Sequence, residues 1–129
     1  MTTNIAPILA IMLTVPGIAY RSAFVYADEL SEVKRIAPKY NARAEVRLKD
    51  GTRCDLLNDI WAIEADWPEK WAEAIGQAGH YANQTGKLPA VMLLVRDYEK
   101  EKRHIDRCAR VCNRFGINLF LEPVLPRGP

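Results

Sequence analysis

The sequence predicts an α/β fold, a mixed sheet carrying helices on its faces. Two observations predict it. In the front half, short stretches alternate apolar and polar residues between tight-turn signals, which is how half-buried strands read. In the back half, two amphipathic helical stretches separate strongly apolar strands, which is how crossover connections read. At 129 residues, 49% of them hydrophobic, the chain supports one domain with one core.

The first stretch stands apart. Between Ile5 and Tyr20 there is no charged residue, and the first basic side chain is Arg21. Interrupted by Pro7, Pro16 and Gly17, this stretch is too short and too broken for a comfortable membrane span. It suits the apolar region of an export signal, and Val25-Tyr26-Ala27 places small residues before a cut at Ala27–Asp28. Met1-Thr2-Thr3-Asn4 lacks the Lys or Arg that such signals usually carry. Residues 1–27 are read as a signal peptide, with an uncleaved anchor or a folded N-terminal segment as alternatives. Residues 28–129 are the domain, expected outside the cytoplasm ahead of inside it, with no stable membrane insertion.

Residues 28–38 read as a helix stopped by Pro38. Strands follow at 43–48, 52–57 and 60–66. Pro68 opens a helix over 69–83, and Gln84-Thr85-Gly86-Lys87 turns the chain into an apolar strand at 89–95, placed inside the sheet. Asp97 caps a helix to Arg114, Gly116 ends it, and 117–121 is the last strand. The order is α-β-β-β-α-β-α-β.

Register gathers acids. A three-residue loop Lys49-Asp50-Gly51, with Gly51 left-handed, sets Val46 opposite Cys54 and Glu45 opposite Asp55. A tight Asn58-Asp59 turn sets Leu57 opposite Ile60, Asp55 opposite Ala62 and diagonal to Glu64, and Arg53 opposite Glu64. Glu45, Asp55, Glu64 and Asp66 then share one face. Two readings are open: a solvated strand face with cross-strand ion pairs, or carboxylates gathered around a divalent cation.

On the next helix, Lys70, Gln77 and Tyr81 fall within about 40° of one another at 3.6 residues per turn, beside a core stripe of Trp71, Ile75, Ala78 and Ala82. Gly76 and Gly79 point to close approach of another group. His80 reads as a surface histidine. The later helix carries Lys100, Lys102, Arg103, Arg107 and Arg110, either a solvated face or a phosphate contact. The net charge of +2 implies no whole-molecule field for nucleic acid, and three cysteines without a CxxC pair argue against zinc.

Asp55, then Glu64-Ala65-Asp66 on the following strand, then Gln77-Ala78-Gly79-His80-Tyr81 on a helix resemble the PD-(D/E)xK nuclease superfamily, nearest its RecB-like branch with a QxxxY motif. The resemblance covers about two-thirds of the chain and implies a restriction-endonuclease-like αβββαβ core. It departs at position 66, where Asp stands in place of the family's lysine. Lys70 is the nearest replacement, and some superfamily members carry a lysine that has migrated onto this helix.

The resemblance implies an Mg²⁺- or Mn²⁺-dependent nuclease acting on DNA. Asp55, Glu64 and Asp66 would be the metal ligands, Lys70 the group that stabilises the transition state or positions water. Gln77 and Tyr81 would hold the lysine or the DNA backbone, with Glu45 in an outer position or paired with Arg53. The alternative is a nuclease-fold domain without catalysis, serving binding or assembly.

Overall fold

The computed structural model describes residues 25–127, together with two short strands that pair with each other, β1 (Thr14–Val15) and β2 (Ile18–Ala19). Most of the segment read as an export signal lies outside the described residues.

The domain opens with α1 (Glu29–Ile36). Asp28 caps it by accepting from the Ser31 N–H at 2.7 Å, and acids in the first turn with bases in the last complement the helix dipole. Pro38 does not stop the chain outright. It sits in a 3₁₀ turn, Ala37–Tyr40, where its missing N–H has no helical partner to lose, and left-handed Asn41 ends that turn.

Three strands then form an antiparallel meander: β3 (Arg43–Arg47), β4 (Arg53–Leu57) and β5 (Trp61–Asp66). The first hairpin has the expected three-residue loop. Val46 lies opposite Cys54, Leu48 N–H reaches Thr52 O at 2.8 Å, and Gly51 takes φ 90°, open to glycine without steric cost.

The second hairpin corrects the expected register by two residues. Leu57 pairs with Ala62, not Ile60, and Leu56 pairs with Ile63. The cause is Asn58, whose side chain accepts from the Ile60 and Trp61 N–H groups at 2.9 and 2.7 Å. This Asx turn moves the loop to Asp59–Ile60. A shift of two preserves the faces, so the apolar pattern alone does not choose between the registers. Arg53 consequently does not face Glu64; it lies opposite Arg47 and near Glu45 at 3.6 Å.

A second 3₁₀ turn, Pro68–Lys70, precedes α2 (Trp71–Thr85), which ends at left-handed Gly86. Next come β6 (Leu88–Val95), α3 (Tyr98–Phe115) and β7 (Asn118–Pro123). The five-stranded mixed sheet runs β3-β4-β5-β6-β7, with β5, β6 and β7 parallel. β6 is interior, and Ala90 to Leu94 are wholly buried.

Each face has its own core. Val33 and Ile36 of α1 pack on Leu56, Ile63, Met92 and Leu94. On the other face, Ala74 and Ala78 of α2 meet Ile105, Cys108 and Cys112 of α3 over Val91 and Leu93. Alternation along β5 therefore sends Ile63 to the α1 side and Ala62 and Glu64 to the α2 side. Gly76 and Gly79 are not close approaches: a Cβ at either would meet nothing within 4 Å. Among the described residues no helix is long and apolar enough to cross a membrane.

Candidate functional site

Where β4 and β5 run beside the start of α2, three carboxylates are buried: Asp55 at 9% exposure, Glu64 at 5% and Asp66 at 5%. Extending the observed register sets Asp55 across from Glu64 rather than diagonal to it. Asp55 is fixed by the Ala65 N–H, which donates to its Oδ2 at 2.8 Å, so the carboxylate satisfies a buried β5 donor. Asp66 is held by the Trp67 N–H at 2.8 Å.

The electrostatics are unfavourable for so much negative charge. Burial, then the charge of Asp55, pushes Glu64 up to about 10, so without a cation it keeps its proton at neutral pH. Burial also raises Asp55, against the opposing pull of hydrogen bonds from Glu64 and the Ala65 N–H. Asp66 is raised by burial, while the Trp67 N–H and Lys70 pull it down. Among the described residues, Glu64 Oε2 is buried without a hydrogen-bond partner.

A fourth carboxylate joins them. Half-buried Glu29, in the first turn of α1, is raised to about 7 by burial and then by the charges of Asp66 and Asp55. Sequence reasoning missed it. An acid in the first turn of a helix reads as an ordinary complement to the dipole, and no local spacing ties position 29 to positions 55–66.

The expected helix residues separate. Lys70 is exposed at the end of the 3₁₀ turn, and its charge reaches both Asp66 and Glu29. It makes no ion pair among the described residues, since Glu69 is held by Arg96 at 2.6 Å. Tyr81 turns inward at 8% exposure, where burial and then the charges of Glu64 and Asp55 raise its pKa.

Gln77 does not join the site. It is exposed and makes no side-chain hydrogen bond among the described residues. On α2 it lies about 60° from Ala74, the centre of the buried face, whereas Tyr81 lies within about 20° of it. The expected phase does not hold because the buried stripe is Ala74, Ala78 and Tyr81 rather than Trp71, Ile75, Ala78 and Ala82, which leaves Gln77 at its edge. Glu45 has a left-handed backbone, φ 55°, sits 3.6 Å from Arg53, and adds its charge to those raising Asp55. His80 is tied to the β3–β4 loop by Asp50 at 2.6 Å.

Among the described residues, no group of three or more His, Cys, Asp and Glu side chains stands arranged to hold a metal ion. The arrangement is instead a buried pair, Asp55 and Glu64, flanked by Asp66 and Glu29 and edged by the ammonium of Lys70. Without a cation it holds a proton on Glu64, and the charge of Lys70 lies beside it. No family model, no curated protein and no solved structure matches this chain.

Proposed function

We propose that the chain is a divalent-metal-dependent nuclease acting on DNA, built on a restriction-endonuclease-like core of the RecB-like type with a migrated lysine. The observation that carries this reading is the Asp55–Glu64 pair, with Glu64 Oε2 buried and, among the described residues, unpartnered. An orphaned acceptor beside a second buried carboxylate costs about 1–3 kcal/mol unless something positive completes it.

The residues fit Mg²⁺ or Mn²⁺. Magnesium is usually held by one or two carboxylates, with waters and substrate phosphate oxygens completing the octahedron, so no full protein cage is required. Asp55 and Glu64 would hold the cation, with Asp66 and Glu29 beside them. When bound, the cation offsets phosphate charge and acidifies a water.

The remaining work belongs to side chains. Asp55 and Glu64 would hold the cation as carboxylates, which requires Glu64 to lose the proton that burial favours. Asp66 is placed to orient an incoming water by accepting its hydrogen bond. Lys70 sets an unpaired ammonium beside the acids, where it contacts the phosphate and stabilises charge that grows in the transition state. Tyr81 walls the site on the α2 side, and Glu45 lies further out against Arg53. Gln77, exposed on α2, is left with contacts to the DNA backbone.

A second reading, a nuclease-fold domain without catalysis, is favoured by Asp66 standing where the family's lysine would be. Conversion of supercoiled plasmid to nicked or linear DNA in Mn²⁺ by wild type, and its loss in Asp55→Asn, separates the two. No cutting by wild type in either metal would defeat the nuclease reading.

A further inference from the structure

α3 carries a second feature, away from the acids. Arg103, Arg107, Arg110 and Arg114 are all exposed. At about 100° per residue they fall within about 60° of one another, a single stripe about 16 Å long. Lys100 flanks it, 84% exposed and only loosely near Asp97 at 3.9 Å. None of the four arginines makes an ion pair among the described residues; the nearest polar contact is Arg103 Nε to His104 Nε2 at 3.4 Å. The neighbouring charges are otherwise arranged, since Lys102 pairs with Asp106 at 2.8 Å and Arg96 with Glu69 and Glu101. Glu99 stands in the first turn, at the N-terminal end of the stripe.

We infer that this stripe is a docking surface for the phosphate backbone of duplex DNA. Each strand of a duplex presents a phosphate about every 3.4 Å of axis, so 16 Å of helix faces about five. Guanidinium groups match phosphates two bonds at a time. Single-stranded nucleic acid is disfavoured, because stacking needs aromatics and the stripe has none: Tyr98 and Phe115 lie about 150° and about 110° from its centre. An anionic membrane is disfavoured too. An interfacial helix inserts an apolar face, and the apolar face of α3, with Ile105, Cys108 and Cys112, is already buried against the sheet. The surface carries no base-reading geometry, so it positions DNA without choosing sequence.

This inference does not rest on catalysis. The test is binding of a fluorescent 20-base-pair duplex (roughly two turns) in EDTA by anisotropy, across salt concentrations. Four phosphate contacts give a log–log salt slope of about −3.6, a loss of about 100-fold between roughly 50 and 200 mM salt. The quadruple variant Arg103→Gln, Arg107→Gln, Arg110→Gln, Arg114→Gln should lose most of the affinity and nearly all of that slope, with an unchanged circular dichroism spectrum. The quadruple Lys variant should keep the slope. A Gln variant that keeps the wild-type slope overturns the inference. So does wild type that ignores duplex DNA but binds phosphatidylserine vesicles through these arginines.

Discussion

Lys70 is the residue where two roles compete most openly: an ammonium serving the acids, or an ordinary partner for a neighbouring Glu on the helix. Glu69 is already engaged by Arg96, and Lys70 makes no ion pair among the described residues. Lys70→Ala is therefore expected to lower DNA cleavage by about 100- to 1,000-fold. Metal affinity should stay level or rise slightly, because a positive neighbour has gone. Lys70→Arg should rescue little, since a planar fork does not reproduce a compact point charge. Full cleavage by Lys70→Ala at unchanged stability would sink that role. Glu64 makes a separate prediction through pH. Its pKa in the folded protein, about 10, lies far above the ordinary 4.5. The stabilisation is complete below pH 4.5 and is lost as pH rises toward 10, while the unfolded chain gives up its proton and the folded one keeps it. In EDTA the Tm should fall from pH 5 to pH 9. Glu64→Gln should flatten that fall, and excess Mg²⁺ should oppose it. A Tm in EDTA with the same pH dependence in wild type and Glu64→Gln would contradict the assignment.

Among the elements, hairpins separate what the sequence reveals from what it conceals. Gly51 marks its own turn, because only a left-handed residue there brings Val46 onto Cys54 and keeps the apolar face consistent. The Asn58 turn conceals its register: a slip of two keeps every side chain on its face, and the deciding bonds come from one side-chain oxygen. That slip moved Glu64 into position across from Asp55. Tyr81 turns inward on α2 while Gln77, and Lys70 just before the helix, stay exposed, because the buried stripe is centred near Ala74 rather than near Trp71 and Ile75. Gly76 and Gly79 lower helix stability without any close approach, since both face solvent. Gly76→Ala and Gly79→Ala should each stabilise α2 by about 0.5–1 kcal/mol, raising Tm by a few degrees. A fall in Tm from either substitution would mean that another group does approach this helix face.

For the molecule as a whole, the order of elements and the three-layer arrangement were legible because period-two and period-3.6 patterns alternate cleanly along the chain. The site was legible in part. Asp55, Glu64 and Asp66 belong to adjacent strands, and strand pairing is a local matter. Glu29 was not legible, since it reaches the acids only when α1 packs across the sheet and brings its N-terminus to the end of β5, which is a property of the assembled layers. The central claim is that this assembly is completed by a divalent cation. Calorimetric titration of Mg²⁺ or Mn²⁺ into wild type and Asp55→Ala at pH 8 tests it most directly. Saturable binding of about one ion by wild type, with protons released as carboxylates ionise and with affinity lost in Asp55→Ala, is the predicted result. No binding by wild type, or equal binding by both proteins, would contradict it.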